Sequence, residues 1–125
     1  MHEKYDWHQV FDFLTKHLGS IESITNHVLK EFYEERNEER DDFKNMIEQY
    51  QDHIKGFMNT GKNDFDDTQW PFILIGSVVE VQDLDYDEIE KLKIVPPFYE
   101  DRVGKLDCAS CLSPVGYGLL FKKIG

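Results

Sequence analysis

The chain reads as an α+β protein, an N-terminal antiparallel helical coiled-coil hairpin followed by a small β-rich domain. Two observations carry this. Apolar residues recur at alternating steps of four and three through the first half, the period of a helical seam. After Gly61 the pattern changes to short β-branched runs separated by Gly, Asn, Asp and Pro. The boundaries expected are 1–61 for the arm, 62–70 for a linker and 71–125 for the C-terminal domain.

The first seam runs Trp7, Phe11, Leu14, Leu18, Ile21, Thr25, Val28 and Phe32. A helix over that span is roughly 38 Å long at 1.5 Å per residue. Phe43, Ile47, Tyr50, Ile54 and Phe57 repeat the spacing after a polar interruption over residues 34–42. A turn inside the interruption lets each seam cover the other. The interruption holds no glycine or proline, whereas Gly19-Ser20 offers an earlier break, so a short helix followed by one long helix is the competing arrangement. That arrangement would expose part of the long helix and favour a dimer. The late turn is preferred because it pairs both seams within one chain.

Beyond residue 70, strands are expected at residues 72–81, 88–95 and 105–110, with residues 83–87 turning between the first two. Gly76 is expected to allow a bend or a close backbone approach within its strand. Pro96-Pro97 stops the second strand, and Ser113-Pro114 is the N-cap-then-proline signature of a short helix to about Leu120.

Charge narrows the partners. The chain has 25 acidic residues against 14 Lys and Arg; residues 1–69 hold 16 acids and 8 bases, residues 70–125 hold 9 and 6. Such a field repels phosphate backbones and anionic membranes, so direct nucleic-acid or membrane binding is not expected. No apolar run approaches the roughly 18–20 residues that span a bilayer, and a cytoplasmic location is expected. Cys108 and Cys111 alone supply two of zinc's usual four ligands, and a strand through them holds the sulfurs too far apart for a disulfide, so two reduced thiols are expected. His2, His8, His17, His27 and His53 lack the spacing of a metal site and read as surface residues. No Ser-His-Asp set or phosphate-cradling loop is present, so an independent enzyme is the weakest class and no intrinsic cofactor is expected.

The ordered series Ile75-Gly76-Ser77-Val78-Val79, Asp83-Leu84-Asp85, Lys93-Ile94-Val95, Leu112-Ser113-Pro114-Val115-Gly116 and Leu119-Leu120-Phe121-Lys122-Lys123-Ile124-Gly125 resembles the C-terminal domain of bacterial Gre-type transcription elongation factors over about 50 residues. The resemblance implies an FKBP-like domain behind a coiled-coil hairpin. It implies RNA polymerase as partner, with the hairpin inserted in the secondary channel and nucleic acid met only inside the transcription complex. Cleavage-stimulating members carry a D-x-x-E pair at the tip that helps hold the polymerase's second Mg ion and orient water. Glu31-x-x-Glu34 stands at about the matching distance, with Glu in place of Asp, among Glu35, Glu38, Glu39, Asp41 and Asp42. Glu31 and Glu34 are thus the candidate catalytic and Mg-directing residues. Arg36 and Arg40 stand at salt-bridge spacing among the acids, so the run also reads as a solvated helical face. Trp70, Phe72, Phe98 and Tyr99 read as core or rim aromatics of the C-terminal domain and are the candidate polymerase contacts. Against the family pattern the arm is short at its N-terminus, the tip lacks the glycine-containing motif, and the last hairpin of the domain is not reached before Gly125. An exposed sheet edge there suits a homodimer, and a dimeric interaction module without cleavage activity is the alternative reading.

Overall fold

The computed structural model describes residues 5–35, 37–68, 70–99 and 107–122. The chain divides into two compact units, Met1–Pro71 and Phe72–Gly125.

In the first unit, α1 spans Trp7–Phe32 and α2 spans Glu38–Thr60. The Asp6 side chain accepts from the His8 N–H at 3.4 Å and starts α1; Asn37 caps α2 by accepting from the Arg40 N–H at 2.8 Å. The turn therefore falls at residues 33–37, at the start of the polar interruption. Helix α1 runs straight through Gly19-Ser20, because a single helical glycine costs only about 1 kcal/mol against the burial of a whole apolar row.

That row differs from the expected one. Leu14, Ile21 and Val28 are buried as read, but Val10 is buried where Phe11 was expected, and Phe11 and Phe32 are 41% and 49% exposed. Phe43, Ile47, Tyr50 and Ile54 of α2 are buried, joined by Met46. The next seam position of α1 is taken by His17, whose Nε2 shares a 2.6 Å hydrogen bond with the Tyr50 hydroxyl. The Phe13 ring stacks on the imidazole from one side and Tyr50 meets it edge-on. His17 is consequently a half-buried seam residue, contrary to the surface placement expected, and burial lowers its pKa below the usual histidine range. Half-buried Thr25 fills the seam poorly. There the helices leave a groove of about 340 Å³, lined in part by Glu22, Lys44, Glu48 and Lys55, and Thr25 Oγ1 has no hydrogen-bond partner.

Residues 62–70 are not a free linker. A 3-10 turn, Gly61–Asp64, leads the chain back onto the base of the arm, where Phe65 meets Trp7 at 5.5 Å between ring centroids and the Tyr5 N–H donates to the Asp67 carbonyl at 2.6 Å. Trp7 also packs on Phe57, closing the base.

The second unit holds a three-stranded sheet in the order β1-β2-β3, with β1 Val78–Asp83, β2 Glu88–Val95 and β3 Asp107–Ser110. Strands β1 and β2 pair antiparallel, Val78 opposite Lys93 and Asp83 opposite Glu88; β3 runs parallel to β2, Ile94 opposite Ala109. The core gathers Phe72, Ile73, Leu74, Ile75, Ile94, Val95, Cys111 and Leu120. Residues 72–77 are not strand, as had been expected, because their backbone is satisfied elsewhere. Ile73 exchanges two hydrogen bonds with Phe121 and Lys122, and Ser77 turns back to the Leu74 carbonyl through Gly76 at φ +96°, which only glycine adopts freely. Gly76 does supply the bend, but ahead of the strand. Cys108 is exposed and Cys111 buried, both free thiols, and burial pushes the Cys111 thiol up to about 12.

Helix α3, Pro114–Leu119, explains the Ser-Pro-x-Gly sequence physically. Ser113 Oγ accepts from the Gly116 N–H at 3.0 Å, and Pro114 fits the first helical turn. Gly116 is buried where a Cβ would overlap the Ser110 carbonyl, so the helix docks on the end of β3 only without a side chain there.

Two outcomes follow. Gly116→Ala should cost about 1–3 kcal/mol or more in denaturant unfolding, through forced displacement of α3 from β3. For the arm, the native state disfavours protonated His17. Its depressed pKa means that stability is complete above the unfolded value near 6.5 and falls as pH drops through the folded value. Urea melts at pH 7.5 and 5.5 should show this loss. His17→Leu should flatten the difference, and Tyr50→Phe should cost about 1 to 3 kcal/mol at either pH by leaving the imidazole without its partner.

Candidate functional site

The arm's tip is fixed by aromatic packing beneath it. Tyr33, just past the end of α1 and 5% exposed, packs on Phe43 with ring centroids 5.8 Å apart, so the turn is anchored while its charged residues face outward. Glu31 lies exposed in the last turn of α1, and Glu34 and Glu35 lie exposed in the turn itself. Glu38, Glu39 and Asp41 occupy the first turn of α2, where the helix dipole favours negative charge. Glu31 and Glu34 thus flank the helix end and do not share one regular helical face. Arg40 does not simply screen the acids from solvent, since its Nε is buried without a hydrogen-bond partner; Arg36 lies outside the described residues.

These carboxylates are hard oxygen donors of the kind Mg takes, and Mg commonly keeps several waters while using one or two carboxylates. Among the described residues no three or more His, Cys, Asp or Glu side chains converge as a metal site. The tip fits a metal only as a contributor to a site completed by another molecule.

The four candidate contact aromatics separate. Trp70 belongs to the arm, not to the C-terminal domain as expected, and packs edge-on against Tyr5 and Phe13 with centroids 5.7 and 5.0 Å away. Phe72 is 5% exposed and meets Phe121 in the domain core, so it has no face to offer. Phe98 and Tyr99 are 49% and 43% exposed. The Lys93 ammonium donates to the Tyr99 hydroxyl at 3.2 Å and lies 5.1 Å from the centre of its ring. Phe98 follows Pro97 with φ +62°, a left-handed backbone that costs a non-glycine residue about 1–3 kcal/mol. The loop therefore holds a half-exposed aromatic ring at a backbone cost.

Residues 68–125 match the family model "Transcription elongation factor, GreA/GreB, C-term". The chain carries a GreA/GreB C-terminal domain. The expected family is thereby shown for this part, and Ser113, Pro114 and Gly116 of the motif series form the capped, closely packed turn described above. None of the curated proteins compared matches the chain. Two solved structures are similar: the transcription factor Gfh1, at 18% identity and TM-score 0.41 over 95% of this chain and 78% of that one, and GreA factor homolog 1 (Gfh1) of Thermus thermophilus, at 22% identity and TM-score 0.39 over 95% and 79%. Among the described residues no helix is long and apolar enough to cross a membrane.

Sequence reasoning missed Val10 and Tyr33 because the more hydrophobic Phe11 and Phe32 stood one position away, and it did not separate exposed Phe98 from buried Phe72. The contrast among the aromatics is measurable in the Gre domain. Phe72→Ala should lower unfolding free energy by about 3–5 kcal/mol, whereas Phe98→Gly should change it by less than about 1 kcal/mol, relief of the left-handed backbone offsetting lost ring contacts.

Proposed function

We propose that this protein is a cytoplasmic regulator of transcription elongation that binds RNA polymerase through its Gre domain and places the acidic end of its arm in the secondary channel. The observation carrying this reading is the match of residues 68–125 to the GreA/GreB C-terminal domain, in a chain whose other half is a two-helix arm ending in exposed carboxylates. Of the four candidate contact aromatics, Phe98 and Tyr99 are the exposed ones on the domain. Trp70 and Phe72 support the arm base and the domain core instead.

In this reading the protein is not itself an enzyme. Glu31 and Glu34 lend carboxylates to the polymerase's second Mg ion when a backtracked transcript is to be cut, and the metal supplies an activated water there. The residues of this chain position charge; the rest of the site belongs to the polymerase. The dimeric alternative loses the surplus helical seam as a support, because Val10, Leu14, Ile21 and Val28 of α1 and Phe43, Ile47, Tyr50 and Ile54 of α2 are buried within one chain.

Bacterial core polymerase at micromolar concentration should retain the protein and release it in competition with an ordinary Gre factor. No retention would end the proposal. With a stalled, backtracked complex, Glu31→Gln with Glu34→Gln should abolish stimulated cleavage while leaving polymerase affinity within a few-fold, since the substitutions keep shape and remove ligand charge. Cleavage that survives this pair but is lost with Glu38→Gln and Asp41→Asn would move the site to the start of α2. Polymerase binding without any cleavage by the wild type would make the arm a plug.

A further inference from the structure

The β1–β2 hairpin is built unlike the rest of the Gre domain. Burial begins only at its inner end, with Ile94 and Val95; every residue from 84 to 91 is exposed, on both faces of the ribbon. A two-stranded ribbon standing in water would be expected to carry a polar tip. Instead Leu84, Tyr86 and Ile89 are 86%, 77% and 67% exposed. Singly exposed apolar residues are ordinary, but these three fall within six positions, and the pairing of Asp83 with Glu88 keeps them all within two residues of the turn.

Their surroundings carry one sign of charge. Glu80, Asp83, Asp85, Asp87, Glu88 and Glu90 lie on this hairpin, and its first base is Lys91, which pairs with Glu80 at 3.9 Å. A nucleic acid or an anionic membrane is repelled by such a rim. A second copy brings the same carboxylates, on a chain of net charge −11. The remaining complement is a cationic protein surface with an apolar centre, and the element that presents an apolar stripe between rows of Lys or Arg is a basic amphipathic helix.

We infer that the tip of the β1–β2 hairpin is a docking prong for a basic amphipathic helix of a partner protein. Leu84, Tyr86 and Ile89 enter the apolar stripe, and the flanking carboxylates meet its lysines or arginines. The small tip suits a transient contact, steered by charge and sensitive to salt. This inference is independent of the polymerase reading, because it uses only the hairpin.

The test is a titration of the isotope-labelled full chain, followed by amide chemical shifts, with a synthetic Lys/Leu amphipathic helical peptide and a Glu/Leu peptide of equal length. The Lys/Leu peptide should give saturable shifts centred on residues 82–90, with Kd on the order of 10–100 μM, weakening several-fold between about 50 and 300 mM salt. The Glu/Leu peptide should give none. Leu84→Ser with Tyr86→Ser and Ile89→Ser should weaken the Lys/Leu interaction at least about tenfold without moving the thermal midpoint, because the three side chains contribute little to the core. Asp85→Asn with Asp87→Asn and Glu88→Gln should weaken it and flatten its salt dependence. Shifts centred on the arm's acids, binding that does not saturate, equal binding of the Glu/Leu peptide, or unchanged binding by the apolar triple variant would each overturn the inference. Co-sedimentation of the wild type with phosphatidylglycerol-containing vesicles through this tip would overturn it as well.

Discussion

Two amphipathic helices in so short a chain can bury their apolar rows most directly against each other, and that constraint organises the arm. It places the turn at residues 33–37, and with it the cluster of exposed acids at one end. It also brings the chain back to the base of the arm, where Phe65 packs on Trp7 and the Asp67 carbonyl accepts from the Tyr5 N–H. The aromatic pairs Tyr33–Phe43 at the tip and Trp7–Phe57 at the base hold the two ends, and the His17–Tyr50 hydrogen bond lies between them. A polar pair in a seam is satisfied in only one alignment, so it fixes register as well as adding stability.

The domain has an equivalent fixed point in the end of β2. Ile94, fully buried, accepts from the Gly76 N–H and donates to the Ser77 carbonyl, while the Val95 carbonyl accepts from Cys111. Two segments distant in sequence, at Gly76-Ser77 and at Cys111, are thereby tied to two adjacent residues. Gly116 adds the remaining condition, a helix packed against a strand-end carbonyl at a distance no side chain permits. The motif residues that announce the family are in this sense packing residues, and they say more about how the domain is built than about what it touches.

That distinction explains what could be read from the sequence. The limits of α1 and β2 were legible because period and terminators agreed: the apolar period beginning at Trp7, the polar interruption, and Pro96 after Val95. The α1 row was misread in part because Leu14, Ile21 and Val28 are common to two heptad phases. One phase adds Phe11 and Leu18, the other Val10 and His17, and hydrophobicity alone selects the first. The structure selects the second, since Tyr50 offers His17 a hydrogen bond and Phe13 stacks on its ring. Residues 72–77 failed for a different reason: β propensity reports a fit to buried, extended backbone, which they have, and not which partner takes their hydrogen bonds. The candidate acids were legible as a cluster, but their division between two helix ends was not.

The division matters for their interpretation. Negative charge at the start of α2 stabilises that helix through its dipole, so Glu38, Glu39 and Asp41 are accounted for by folding alone. The same reasoning runs the other way at the end of α1. A carboxylate in or just beyond the last turn of a helix faces the negative end of the dipole, at a cost of roughly 0.3–1 kcal/mol where it is exposed, and Lys30 is the one base of that turn to offset it. Glu31 and Glu34 therefore stand where folding disfavours them, outside the stabilised set. Their place on a turn anchored from below by Tyr33 and Phe43 is thus not accounted for by the dipole that accounts for Glu38, Glu39 and Asp41.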